Sequence, residues 1–138
     1  MDEVVYYTNA LTEAQILAHY QAGTNSATAN YSSQVLALNP AGYWRLNESV
    51  PAYTAAANSG SLGSAENGTY VGATNSAGPS GASYPGLEAN NRAVAFDGTD
   101  NRYVQAKSFG VAGPLTILAW VKPSFLSADR AIAGENAS

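Results

Sequence analysis

The stretch Leu115–Lys122, LTILAWVK, decides the fold class because it has the composition of a β-strand with apolar residues on both faces. Side chains alternate between the two faces of a strand, so the stretch divides into two sets. One set is Leu115, Ile117, Ala119 and Val121, and the other is Thr116, Leu118, Trp120 and Lys122. Leaving Leu118 and Trp120 in water would forgo burial worth a few kcal/mol. We therefore predict a strand within a sheet that is covered on both faces, at least locally.

Similar short runs occur along the rest of the chain, separated by residues that are typical of turns. The run Val4–Tyr7, VVYY, is β-branched and aromatic, which favours a strand. Further strand-like runs occupy residues 34–38, 43–46, 69–72, 93–96 and 102–106. The stretch between residues 72 and 90 is rich in Gly, Ser, Ala and Pro, which is typical of a long loop. The pattern predicts an all-β fold, an antiparallel β-sandwich.

One segment breaks the strand pattern and predicts a short helix near the N-terminus. Thr12 is a candidate N-cap, and Gln15, three residues later, can complete a capping box. Gly23 can end the helix in the left-handed conformation. His19, the only histidine, lies in this helix without histidine or cysteine partners, so we expect a packing or surface role for it. The apolar face of the helix would consist of Ile16, Leu17 and Tyr20.

The composition excludes several classes of function. Charged residues make up 12% of the chain, the net charge is −4, and no basic cluster would attract a phosphate backbone. The chain has no cysteine, which rules out disulfides and thiolate metal sites. No apolar run approaches the length that crosses a bilayer, and the first residues lack a signal-peptide pattern. We therefore expect neither nucleic-acid partners nor membrane insertion, and export would depend on a segment outside this sequence.

The carboxylates do not have the arrangement that hydrolysis of glycosidic bonds needs. Retaining enzymes use two carboxyl groups about 5 Å apart. Asp2 and Glu3 are adjacent and would point to opposite faces of a strand, while Asp97 and Asp100 lie in a turn-rich loop. There is also no Ser-His-Asp grouping, phosphate-binding glycine motif or zinc-spaced cluster. The sequence predicts a protein that is not an enzyme.

Two features are candidates for ligand binding. The loop at residues 97–101 offers Asp97, Asp100 and Asn101 as oxygen ligands for calcium, although turn formation alone is the commoner role of such residues. Aromatic side chains can stack on sugar rings, but we expect Trp44 and Trp120 in the core. The tyrosines expected to be exposed, and therefore the candidate glycan-binding residues, are Tyr53, Tyr70, Tyr84 and Tyr103.

Several motifs together resemble a laminin-G-like module of the concanavalin-A-like superfamily. The most specific are DEV at 2–4 with NALT at 9–12, YWRL at 43–46 with Glu48, FDG at 96–98 and AWVKP at 119–123. The resemblance covers most of the chain, but in two blocks of reversed order. It implies that residues 1–23 are the closing strand and terminal helix of one module, 24–30 a linker, and 31–138 the incomplete opening part of the next. It also implies a jelly-roll topology, with one short helix near the N-terminus.

The resemblance further implies a structural or recognition role. We expect a non-enzymatic repeat segment, extracellular or on a bacterial cell surface, that assembles with other copies or adjacent domains into a fibre or array. The alternative is a carbohydrate-binding module, with or without calcium, in a larger surface protein or secreted enzyme. Because the middle strands of the module are missing, open strand edges should pair across a chain boundary. The residues expected there are Val4, Val5, Tyr6, Tyr7, Leu118 and Trp120.

Overall fold

The computed structural model of the protein describes residues 1–25, 30–49, 55–98, 102–107, 113–124 and 131–134. Eight strands lie in these ranges: β1 (Asp2–Tyr7), β2 (Gly42–Trp44), β3 (Ala55–Ala56), β4 (Gly68–Val71), β5 (Thr74–Ala77), β6 (Arg92–Ala95), β7 (Tyr103–Gln105) and β8 (Thr116–Trp120). The described helices are α1 (Glu13–Thr24), α2 (Tyr31–Leu36) and short 3₁₀ segments at Gly63–Glu66 and Gly81–Ser83. The fold is β-rich, as predicted, but it carries two short α-helices where the sequence predicted one.

The strands form three antiparallel sheets. The strand orders are β2-β1-β8, β3-β4-β7 and β5-β6. In the first sheet, Val5 of β1 lies opposite Tyr43 of β2 on one side and opposite Leu118 of β8 on the other. The first strand of the sequence is therefore the central strand of this sheet.

The two faces of β1 belong to different layers of the core. Tyr6 lies in a buried cluster to which all three sheets contribute. The other members of that cluster are Ala41, Trp44, Leu46, Ala56, Tyr70, Ala73 and Val94. Val5 and Tyr7 lie in a second cluster, in which residues of α1 and α2 cover the opposite face of the sheet. Both faces of β1 are therefore buried by the chain itself.

The prediction that Val4–Tyr7 pairs across a chain boundary is wrong. Both edges of this strand are occupied by β2 and β8, which come from the 31–138 block of the same chain. The strand that resembles the closing strand of a module therefore pairs on both sides within its own chain. The other strand expected at a boundary, β8, is paired on one side only among the described residues.

Helix α2 lies where the sequence predicted a strand at residues 34–38. Asn30 caps this helix, since its side-chain oxygen accepts a hydrogen bond from the Ser32 N–H at 3.1 Å. Tyr31 and Val35, four residues apart, are both buried. These two residues therefore have the i, i+4 spacing of a helix face. The strand prediction missed this spacing because the predicted run began at residue 34 and did not include Tyr31.

Helix α1 is present as predicted but packs through a different face. Its buried residues are His19, Ala22 and Gly23, and the exposed ones include Ile16, Leu17 and Tyr20. Gly23 does not end the helix, which continues to Thr24. A Cβ atom at Gly23 would lie 2.6 Å from the Trp120 ring, so glycine permits the close approach of α1 to β8. The absence of a side chain at position 23 therefore lets the end of α1 lie against the Trp120 ring.

The capping box at the start of α1 is confirmed and leads to a stability prediction. Thr12 Oγ1 accepts from the Gln15 N–H at 3.3 Å, and Gln15 Oε1 accepts from the Thr12 N–H at 2.8 Å. Replacement of Thr12 by alanine is expected to lower the free energy of unfolding by about 1 kcal/mol. Chemical denaturation measures the loss, with the exposed Thr8→Ala as the control. Equal stability of the two variants would contradict a contribution from the cap.

Candidate functional site

Two carboxylates are buried at the beginning of β1. Asp2 is 1% exposed and Glu3 is fully buried. The pairing register between β1 and β8 shifts between Asp2 and Val5, and Glu3 has a φ of 52°. This left-handed conformation is unfavourable for a residue other than glycine, and it persists only where surrounding contacts compensate for it.

Glu3 lies at the centre of a hydrogen-bonded group that we call the Glu3 network, consisting of Glu3, Tyr43, Arg45 and Glu88. The Tyr43 hydroxyl donates to Glu3, Arg45 Nε donates to Glu3 Oε1 at 3.0 Å, and the same guanidinium pairs with Glu88. Burial raises the pKa of Glu3, while the hydrogen bonds from Tyr43 and Arg45 act in the opposite direction. Arg45 thus compensates for a carboxylate that has lost its water.

Asp2 has a less complete set of partners. Asn91 Nδ2 donates to Asp2 Oδ2 at 2.6 Å and to the Pro79 carbonyl at 3.2 Å, which fixes the orientation of the amide. The Oδ1 atoms of Asp2 and Asn91 are buried and have no hydrogen-bond partner among the described residues. Burial, together with the neighbouring charge of Glu3, raises the pKa of Asp2 to about 7. When protonated, the Asp2 carboxyl gains an O–H donor, whereas the carboxylate can only accept.

The Glu3 network joins the two sequence blocks that carry the laminin-G-like resemblance. DEV at 2–4 supplies Glu3, and YWRL at 43–46 supplies Tyr43 and Arg45. From the sequence, Asp2 and Glu3 were rejected as a catalytic pair and assigned to the DEV motif, and their packing role was missed. Their position directly before the apolar run VVYY was the available signal, because carboxylates beside a buried strand need hydrogen-bonded partners. The network fastens β1 to β2.

The second notable feature is the side of β8 that faces away from β1, which we call the β8 edge. Beyond the pairing with β1, no described residue makes a backbone hydrogen bond to this strand. The opposite margin of the same sheet differs, because the Ser59 N–H donates to the Tyr43 carbonyl and Asn58 Oδ1 accepts from the Tyr43 N–H, both at 2.8 Å. Among the described residues, the backbone groups of the β8 edge therefore have no strand partner.

The predicted cover over both faces of β8 is present on one face only in the described part of the chain. Leu118 and Trp120 are half-buried and pack against the second cluster, under the helices. Ile117 lies opposite Tyr6 in the pairing register and therefore belongs to the other face. On that face Leu115, Ile117 and Val121 are exposed. The apolar side chains left exposed are therefore Leu115, Ile117 and Val121. The sequence had instead drawn attention to Leu118 and Trp120, which are half-buried.

The third feature is a concavity of about 180 Å³ between α1 and β8, which we call the Trp120 groove. It is lined by Ile16, His19, Tyr20, Tyr31, Leu118, Ala119 and Trp120. The Tyr20 ring stacks on Trp120, with ring centroids 6.2 Å apart and an interplanar angle of 19°. Tyr31 and Tyr84 meet Trp120 edge-on at 5.9 and 5.4 Å. Trp120 is therefore the centre of an aromatic group that is partly open to solvent.

The four tyrosines expected to bind glycans do not form one surface. Tyr70 is 4% exposed, and its hydroxyl donates to Glu48, so the expectation that it is exposed is wrong. Its alternating position on β4 turns it into the core between the sheets. Tyr84 contacts Trp120, whereas Tyr103 is exposed on β7 of a different sheet. Tyr53 lies outside the described residues. Trp44 is buried in the core, as expected.

The predicted calcium ligands are only partly within the described residues. Asp97 forms an ion pair with Arg102, with Asp97 Oδ2 and Arg102 Nε 2.9 Å apart. Asp100 and Asn101 lie outside the described ranges. Among the residues that the structure describes, no three histidine, aspartate or glutamate side chains come together as a metal site. In the same residues, no helix has the length and apolar character to span a membrane.

Comparisons with known proteins assign no family. No protein-family model matches the chain, and neither a curated protein nor a solved structure matches it. Function must therefore be inferred from the geometry of the Glu3 network, the β8 edge and the Trp120 groove.

Proposed function

We propose that the protein is a non-enzymatic, laminin-G-like jelly-roll segment that assembles with a second copy of itself through the β8 edge. The observation that carries this proposal is that, within the described part of the chain, β8 pairs with β1 alone. Assembly of this kind suits a structural or adhesive module in a fibre or array, extracellular or on a bacterial surface. The burial of Asp2 and Glu3 supports a non-enzymatic role, because neither carboxylate is open to a substrate.

The residues of β8 favour pairing with another strand. Thr116–Trp120, TILAW, contains no charged residue and is rich in types that favour strands. Edge strands that avoid association usually carry a charge, a proline or a bulge. Pro114 and Pro123 flank β8, but neither lies within it. A second β8 is the simplest partner, because one antiparallel contact about a twofold axis pairs both free edges at once.

The exposed face beside the β8 edge supports the same partner. Leu115, Ile117 and Val121 are 47%, 43% and 45% exposed. In a sheet with the order β2-β1-β8-β8-β1-β2, these side chains would lie next to those of the second copy. Apolar cross-strand pairs contribute roughly 0.2–1 kcal/mol each, in addition to the backbone hydrogen bonds.

Replacement of Ile117 by lysine is expected to abolish self-association. The substitution places two positive charges close together across the proposed twofold axis and adds the charge by which natural edge strands avoid pairing. The folded monomer should tolerate it, because the side chain is half exposed. Sedimentation velocity over a series of protein concentrations measures the effect.

The matched control is Tyr103→Lys, since Tyr103 is 44% exposed and lies on β7, in another sheet. We expect dimers for the wild type and for Tyr103→Lys, and monomers for Ile117→Lys. Circular dichroism spectra should be the same for all three proteins. A wild-type protein that remains monomeric at the highest concentration, or an Ile117→Lys variant that still dimerises, would overturn the proposal.

A further inference from the structure

The exposed apolar side chains of α1 form a surface that we call the α1 face, consisting of Ile16, Leu17 and Tyr20. These side chains are 44%, 51% and 59% exposed. Single exposed apolar side chains are ordinary on a protein surface, whereas a contiguous group often marks an interaction site. The α1 face is therefore a candidate interaction surface.

Helix α1 runs alongside β8 and in the same direction. Before the start of the helix, the Leu11 N–H donates to Oγ1 of Thr116, the first residue of β8, at 2.9 Å. Near its end, Gly23 lies against the ring of Trp120, the last residue of β8. The middle of α1, at Leu17, is therefore level with the middle of β8.

One flank of the α1 face is directed toward β8. Ile16 and Tyr20, four residues apart, lie on the same flank of the helix. Both line the Trp120 groove, and among the described residues the strand wall of this groove is formed by β8 alone, through Leu118, Ala119 and Trp120. This flank is therefore the side of α1 nearer to the β8 edge.

Contacts with two strands fix where the axis of α1 lies over the sheet. His19 Nε2 lies 3.1 Å from the Tyr7 hydroxyl of β1. The Tyr20 ring stacks on Trp120 of β8. The axis of α1 therefore lies over the boundary between β1 and β8.

The proposed sheet would place two such helices at packing distance. Antiparallel pairing of β8 with a second β8 requires a twofold axis perpendicular to the sheet, which keeps both α1 helices on the same face. Their axes would be separated by two strand spacings, about 10 Å in all. Helices that pack against each other lie about 8–10 Å apart. The strand spacing therefore agrees with direct contact between the helices.

The size of the β8 edge also indicates a need for further contacts. The five residues of β8 extend about 17 Å. Stable interfaces bury about 800 Å² on each partner, which is more than a single strand edge of this length provides. The α1 face adds apolar surface beside the same edge.

We infer that the α1 helices of two copies pack side by side and antiparallel over the paired β8 strands, with Ile16 and Tyr20 of each copy at the contact. The partner of the α1 face is thus a second copy of the same chain. This inference rests on the proposed assembly through the β8 edge and extends that interface from the strands to a layer of helices. Leu17, level with the middle of β8, would lie close to its equivalent near the twofold axis.

Tyr20→Glu and Ala14→Glu place the same charge on different flanks of α1. Ala14 is exposed and lies about 120° around the helix from Tyr20. Tyr20→Glu is expected to raise the dissociation constant of the dimer at least tenfold, because it removes an apolar contact and brings like charges together. Ala14→Glu should leave the constant unchanged. Sedimentation velocity measures both constants, and circular dichroism checks that both variants are folded.

A distance between two spin labels tests the helix contact directly. The chain has no cysteine, so a nitroxide attached to Leu17→Cys reports a single distance in the dimer. Double electron–electron resonance should give a distance below about 25 Å, because packed helices lie about 10 Å apart and the labels add their own length. The distance should disappear in the double variant Leu17→Cys with Ile117→Lys, which lacks the β8 contact.

The outcomes separate the helix contact from assembly itself. Equal dimerisation of Tyr20→Glu and Ala14→Glu, or a much longer distance between the labels in a dimer, would overturn the helix contact and leave pairing through β8 intact. A wild-type protein that stays monomeric at every concentration would overturn both.

Discussion

Replacement of Asp2 by asparagine is expected to stabilise the protein at pH 8 and to remove much of its loss of stability between acidic and neutral pH. Asparagine has the shape of the protonated acid. Its Oδ1 can accept from Asn91 Nδ2, as Asp2 Oδ2 does at 2.6 Å. The variant carries no charge that burial would penalise.

The direction of the pH effect follows from the raised pKa of Asp2. Its pKa rises from 3.8 to about 7 because of burial and the charge of Glu3. Between these two values the folded protein binds a proton that the unfolded chain releases, so the free energy of unfolding falls as the pH rises. Across the whole interval the loss is on the order of 4 kcal/mol. Below the interval Asp2 is protonated in both states and contributes no pH dependence.

Chemical denaturation at a series of pH values measures this effect. The difference in stability between Asp2→Asn and the wild type should grow steadily from pH 4 to pH 7, since other titrating groups are common to both proteins. Glu13→Gln, an exposed change in the first turn of α1, is the control and should show a difference of a few tenths of a kcal/mol at most. A difference for Asp2→Asn that does not change with pH would mean that Asp2 is ionised in the folded protein.

Replacement of Arg45 by leucine is expected to lower the free energy of unfolding by about 3–5 kcal/mol at neutral pH. Arg45 is the cation that faces the fully buried Glu3 carboxylate, with Arg45 Nε and Glu3 Oε1 3.0 Å apart. Without it, Glu3 keeps the Tyr43 hydroxyl but loses its opposite charge. The loss should diminish as the pH falls, because protonation of Glu3 then removes the unpaired charge.

Two further variants separate this charge effect from lost packing. Arg92→Leu removes an exposed arginine from β6 and should change stability by less than about 0.5 kcal/mol. The double variant Glu3→Gln with Arg45→Leu should recover much of the loss, because the buried carboxylate is then neutral. If the double variant is no more stable than Arg45→Leu alone, the contribution of Arg45 comes from packing rather than from its charge.

The sequence predicted the elements that depend on local patterns. The strand at VVYY, the capping box of Thr12 and Gln15, and the strand within LTILAWVK are all present. It did not predict α2 or the packing face of α1, because both depend on tertiary contacts. Ile16, Leu17 and Tyr20 have the spacing of a buried face but are exposed, whereas the close approach of α1 to Trp120 requires glycine at position 23.

The candidate sites depend on contacts between residues that are far apart in the sequence, and local sequence patterns do not predict such contacts. The assignment of Val4–Tyr7 to an intermolecular edge failed because β2 and β8, far apart in sequence, meet on either side of it. The hydrogen-bond partners of the buried Asp2 and Glu3 are Asn91, Tyr43 and Arg45, which lie at least 40 residues away in the sequence. No local pattern predicts such contacts. His19 was expected to have a packing or surface role, and it is buried, at 3% exposure.

Amide hydrogen exchange in β8 at different protein concentrations tests the proposed assembly most directly. Successive N–H groups of a strand point to opposite edges, so Thr116–Trp120 contains amides that face β1 and amides that face the β8 edge. We predict that the amides facing β1 are protected at every concentration, and that those facing the β8 edge become protected only as the protein dimerises. Ile117→Lys should remove this second protection. Exchange at the β8 edge that is equally fast at all concentrations would contradict assembly through β8.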